Sequence, residues 1–165
     1  MKSKKAFLGD AIFLVAFLFL MSIVVIVGWF ALSKVNDSWQ NSTELPTESR
    51  TIMSNWSGRY VSVFDWFIAI VFIGLVIALM ISAYLLRSNP VFAGIALLIL
   101  FITIGIAMRV SNAYRSFISS EGIAEYAVSF NITNTIMDNL PKFLLFILVI
   151  FVIVLYAKGR GQMSV

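Results

Sequence analysis

Residues 11–32 read AIFLVAFLFLMSIVVIVGWFAL, 22 positions without a charge. As a helix rising 1.5 Å per residue the run is about 33 Å long, enough to cross a hydrocarbon core of about 30 Å. Lys2, Lys4 and Lys5 precede it. A basic start also heads signal peptides, but their apolar stretch is usually only about 7–15 residues. The run is therefore read as an uncleaved span.

Outward from it the pattern repeats. Trp66 to Leu86 is a second uncharged run, ending in Arg87-Ser88-Asn89-Pro90. Asn-Pro is a turn signal and proline suits the first position of a helix, so a tight helical hairpin is expected there. Pro90 to Met108 is the third run, and nothing breaks its helical pattern before Gly122. That helix is expected to project beyond the lipid to about Ser119. The fourth run, Phe143 to Ala157, starts with Leu140 and Pro141 in its first turn and is stopped by Lys158 and Arg160. The expected fold is an all-α membrane protein with four transmembrane helices, at about 11–32, 66–86, 90–108 (extending to 119) and 140–157. They form two helical hairpin-like halves of a single membrane domain over 1–165. Helical extracytoplasmic loops occupy 33–65 and 109–142.

Composition supports lipid as the solvent. Hydrophobic residues make up 61% of the 165 and charged residues 12%, against roughly 45–50% and 25% in soluble domains. The chain has no histidine and no cysteine. This excludes thiolate nucleophiles, disulfides and Cys/His zinc sites, and removes the usual general base. Glu44, Glu48, Glu121, Glu125 and Asp138 read as solvated loop charges rather than an acid/base pair. No enzyme and no cofactor is implied.

Charge placement gives an expected orientation. Lys2, Lys4, Lys5, Arg87, Lys158 and Arg160 crowd the short flanks, opposed only by Asp10. The two long segments mix both signs. By the positive-inside rule the termini and the 87–90 turn face the cytoplasm, and both long segments face outward. The basic flanks form a basic inner face, for which anionic lipid is the expected contact and nucleic acid the lesser one. Trp29, Trp39, Trp56, Tyr60 and Trp66 gather near the outer ends of the first two spans, where interfacial anchoring is expected.

Small residues suggest helix packing. Gly74, Ala78 and Ser82 recur at intervals of four in the second span, and Gly94 and Gly105 lie in the third. Such stripes let backbones approach closely. Packing between the two spans is expected, with formation of a homo-oligomer as the alternative. Gly74→Leu or Ala78→Leu should then disturb the protein more than Leu148→Ala. The bulky fourth span reads as lipid-facing. Asp10 and Asp65 each precede a run and are expected to cap its N–H groups. No ionisable residue lies deep in a span, which argues against a transporter. Ile123, Tyr126, Ala127, Phe130 and Met137 share one helical face, expected to lie on the membrane or against the first outer segment.

The stretch from Asp65 to Phe117 carries a resemblance. It reads Asp-Trp-Phe (65–67), an apolar span, Leu-Leu-Arg-Ser-Asn-Pro-Val-Phe (85–92), a second span, then Ser-Asn-Ala-Tyr-Arg-Ser-Phe (111–117). It resembles small hydrophobic proteins of tailless, lipid-containing bacterial or archaeal viruses, which populate the membrane beneath the capsid. The resemblance implies a virion membrane component with outer segments meeting the shell or vertex and basic termini facing the genome. It implies no catalytic residue. A holin-like membrane-permeabilising protein and a small transporter or channel subunit are the competing expectations.

Overall fold

A computed structural model describes the backbone of residues 6–85 and 90–161. Lys2, Lys4, Lys5, Arg87 and the expected turn lie outside the described residues. Lys158 and Arg160 belong to the last helix, but their side chains, like those of Asp10 and Ser82, lie outside the described residues as well.

The described chain is helical: α1 (Ala6–Asn41), α2 (Thr47–Leu85), α3 (Pro90–Ile118), α4 (Ala124–Ala127), α5 (Asn131–Asp138) and α6 (Leu140–Gly161). Among the described residues three helices are long and apolar enough to cross a membrane. A fourth span is added when α5 and α6, bent by 61° at Asn139, are taken together. The protein is thus an all-α, multi-pass membrane protein by the length and composition of its helices.

α1 and α2 form one long antiparallel pair. No proline interrupts residues 6–41, and Pro46 stands immediately before α2 at Thr47, so both helices run through the polar segment 33–65 as well. α1 packs on α2 and α3, and α6 packs on α3 and α2. Around the bundle the order is therefore α1, α2, α6, α3, with α2 and α3 across from each other. Among the described residues these two form no extended contact.

This corrects the small-residue expectation. Gly74, Ala78, Gly94 and Gly105 are exposed, and a Cβ built at any of the three glycines meets nothing within 4 Å. The stripes do not join the second and third spans. The reason is the diagonal placement: bulky residues such as Ile68, Leu79 and Ile104 fill the centre, leaving the small residues on the outside. The last helix is also corrected. Leu140, Leu144, Ile147 and Phe151 form a buried stripe on α6, and only its remaining face is exposed.

The two pairs are staggered. The Trp29 ring stacks on Tyr60 at 5.8 Å, so the end of the α1 apolar run lies beside the polar part of α2. From that pairing, Leu32 stands about 13 Å beyond Trp66 along the bundle axis, at 1.5 Å per residue. The ends of the first two apolar runs nearest the α1–α2 turn are not level. The extra length of α1 is flanked by α4, packed on α1, and by α5, packed on α2, α3 and α6.

Candidate functional site

The end of the bundle that carries the α1–α2 turn also carries α4 and α5. This crown is the part of the protein with folded polar chemistry. It is built around Asp65, which lies inside α2 and is buried. Its carboxylate accepts from the Ile132 N–H at 3.0 Å, the Thr133 N–H at 2.7 Å and the Thr133 hydroxyl at 2.7 Å. A carboxylate from a distant helix therefore satisfies the first turn of α5, whose own N-cap residue, Phe130, offers no side-chain acceptor. The expectation that Asp65 caps its own span is corrected: it sits in mid-helix, where the N–H groups of α2 are already bonded. Asp10 likewise lies inside α1, past its start at Ala6.

A second group of contacts fixes the other side of α5. Tyr114 is fully buried, and its hydroxyl donates to Asn134 Oδ1 at 2.6 Å. Asn134 Nδ2 in turn donates to the Ala127 carbonyl at 2.9 Å, holding α4 to α5. Arg115 Nε donates to Asp138 Oδ1 at 2.8 Å on the surface, and the Ser111 hydroxyl reaches the Asp138 carbonyl at 3.4 Å. Phe130, Thr133, Met137 and Leu140 are completely buried beneath this network. Apolar burial and hydrogen bonding thus coincide in one small volume, where each polar contact is worth more than at the surface.

α3 ends at Ile118, and Gly122 follows with φ of +82°, a conformation glycine adopts without a Cβ penalty. Beyond it, the expected one-sided face is present but divided between two short helices. Ala127, Phe130 and Met137 are buried, while Ile123 and Tyr126 are half-buried. The Tyr126 ring meets Phe30 of α1 edge-on at 5.2 Å. Lys34, beyond the apolar run, lies 5.8 Å from the centroid of each of these rings. Hydrogen bonding with the Tyr126 side chain holds its ammonium above the ordinary lysine value.

The aromatic cluster divides. Trp29 and Tyr60 pack together inside the α1–α2 interface, with the Tyr60 hydroxyl donating to the Val25 carbonyl at 3.2 Å. Gly28 makes room for that hydroxyl, since a Cβ there would collide with it. Trp39, Trp56 and Trp66 remain exposed, at 38%, 69% and 60%. Trp29 and Tyr60 are half-buried.

Within the apolar stretches the described polar groups are satisfied locally. The buried Ser22 and Thr103 hydroxyls donate to the carbonyls of Leu18 and Ile99, one helical turn back. Sequence reasoning missed Asp65 as the clamp of α5. The readable signal was a helix start at Phe130-Asn131 with no capping side chain at its N-cap, which calls for an acceptor from elsewhere.

No family model, curated protein or solved structure matches the chain.

Proposed function

We propose that the protein is a structural integral membrane protein that presents a folded crown on the outer side of a bilayer to a partner protein. On the resemblance of residues 65–117, that partner is a capsid shell or vertex, and the membrane is that of a virion. The single observation supporting this reading is the crown itself: a buried carboxylate and a buried tyrosine fasten α4 and α5 to the membrane helices. Holding two short helices still is useful for docking and has no evident use in opening a pore. The role is non-catalytic, four helices span the bilayer, and both termini face the inside.

The test is a protein inventory of purified virions from an infected culture of a host whose virus carries this sequence. Stoichiometric presence supports the reading, and absence from the particle defeats it. Membrane-potential dye on expressing bacteria separates the permeabilising alternative, for which an abrupt loss of potential is the signature. For orientation, single cysteines at Ser42 and Ser129 should react with an impermeant thiol reagent on intact cells. Those at Ser88 and Ser164 should be protected, and the opposite pattern reverses the topology.

A further inference from the structure

The register between helices fixes where apolar surface gives way to polar surface on each of them. Trp29 pairs with Tyr60, and Phe72 lies twelve residues further along α2. The Phe72 ring meets that of Phe143 at 5.2 Å, so Phe143 of α6 stands at about the height of Phe17 of α1. Leu32, the end of the α1 apolar run, is fifteen residues above Phe17, about 22 Å at 1.5 Å per residue. Trp66 on α2 falls between the two, about 9 Å above Phe72. On α3, the Ser111 hydroxyl reaches the Asp138 carbonyl at 3.4 Å, which puts Arg109 close to the start of α6. The boundary therefore descends around the bundle from α1 through α2 to α6 and α3.

The exposed side chains follow this slope. Phe13, Phe17, Leu20, Val24 and Val27 form one exposed apolar stripe on α1, spaced alternately by four and three, and it passes the height of Phe143 without a charge. On α6 the exposed stripe of Leu145, Phe146, Val149, Val152 and Ile153 ends upward at the exposed Lys142. Arg109, Asn112, Arg115 and Ser116 are exposed on α3 at that height and above it. A flat membrane surface at Leu32 would sink these cations into hydrocarbon, which is costly. A flat surface at Lys142 would leave Val24 and Val27 in water, although their stripe is continuous with the lipid-covered surface below. Levelling the two ends by tilt needs about 40°, for a drop of about 22 Å across a bundle about 25 Å wide. The usual tilt is about 20°.

We infer that the bilayer adapts to the protein. The leaflet at the crown end descends along α3 and α6, so that phospholipid headgroups lie level with Arg109 and Lys142, while acyl chains cover α1 up to Leu32. The lengths agree: the apolar run of α6, 143–157, is about 22 Å long and that of α1, 11–32, about 33 Å, on either side of a core of about 30 Å. Thinning of this kind has a modest cost for each ångström of mismatch. The test uses the full chain, which has no cysteine of its own, with Val27→Cys or Lys142→Cys at exposed positions. Each variant is reconstituted at high dilution in phosphatidylcholine vesicles, with a charged, impermeant thiol reagent on both sides, so the result does not depend on orientation. Position 142 should react and position 27 should be protected, although 27 stands about 14 Å nearer the crown end. Both thiols should react after unfolding in dodecyl sulfate. Reaction at both positions in vesicles leaves α1 bare and overturns the inference, as does protection at both or at 142 alone. Polarised infrared dichroism on oriented bilayers reads the helix tilt, expected near 20°; a tilt of about 40° levels the ends without thinning and overturns it as well. No partner protein is present, so this outcome is separate from that of the docking reading.

Discussion

Residues 33–65 and 109–142 have similar lengths and similar polarity, yet they are built in opposite ways. The first is the continuation of two membrane helices around a short turn, so its order comes from backbone hydrogen bonds within α1 and α2. Its side-chain contacts within the pair are few, Gln40 to the Arg50 carbonyl and Tyr60 to the Val25 carbonyl; Asp65 and Lys34 instead reach out to the second segment, at Ile132, Thr133 and Tyr126. The second is broken at Gly122 and again around Ser129 and Asn139, and short helices have little stability of their own. α5 has only 8 residues, so its order depends on Asp65, Tyr114 and the buried face beneath it. Helix continuity holds the one, and tertiary contacts hold the other.

The largest expected effect strikes that difference directly. Asp65→Ala removes the acceptor for three donors and leaves the fully buried Thr133 hydroxyl unpaired. Hydrogen bonds to a charged group are worth about 1.5–3 kcal/mol each, so a loss of about 3 kcal/mol or more is expected. Hydrogen exchange should show lost protection across 119–139 with 33–60 unchanged. Equal loss in both segments would dissolve the contrast between them.

Gly28→Ala tests the first segment. The added methyl meets the Tyr60 hydroxyl, and the ring must turn away from Trp29 and the Val25 carbonyl. Overpacking costs about 1–3 kcal/mol, offset by up to about 1 kcal/mol of helix propensity. A lower thermal midpoint in micelles is expected, together with partial rescue by Tyr60→Phe, because the collision is with the hydroxyl. Failure of that rescue would show that the ring, not the hydroxyl, sets the helix separation.

A smaller effect compares the two sides of the bundle. Leu148→Ala trims a side chain packed against the core and should cost about 1 kcal/mol, below the range for a fully buried leucine. Gly74→Leu adds a side chain into open space and should leave the stability of a single chain unchanged. This reverses the order expected from the sequence. A destabilised Gly74→Leu chain, measured under dilute, monomeric conditions, would restore the earlier order and with it a packed role for the stripe.

The smallest effect belongs to Arg115→Gln. Its ion pair with Asp138 lies at the surface, with the two side chains 56% and 35% exposed. Exposed pairs contribute about 0–1 kcal/mol and weaken with salt. Crown stability should fall by less than about 1 kcal/mol, and by less again at high salt. A loss rivalling that of Asp65→Ala would shift the weight of the crown from the buried carboxylate to its surface.

What the sequence by itself determined is the solvent and the class of fold. Runs of about 20 uncharged residues have one economical solution, the helix, because lipid offers backbone groups no partner. The same local signals marked where helices begin and end at Pro90 and Gly122, since proline and glycine act on the chain beside them. Tertiary structure alone decided which helices touch, and with it the fate of Gly74, Ala78 and Gly105. A small residue permits close approach but does not compel it, and bulky neighbours on the opposite face claimed the interior. It also decided the role of Asp65: its carboxylate bonds to groups 67 and 68 positions away, a distance across which no local pattern in the chain carries information.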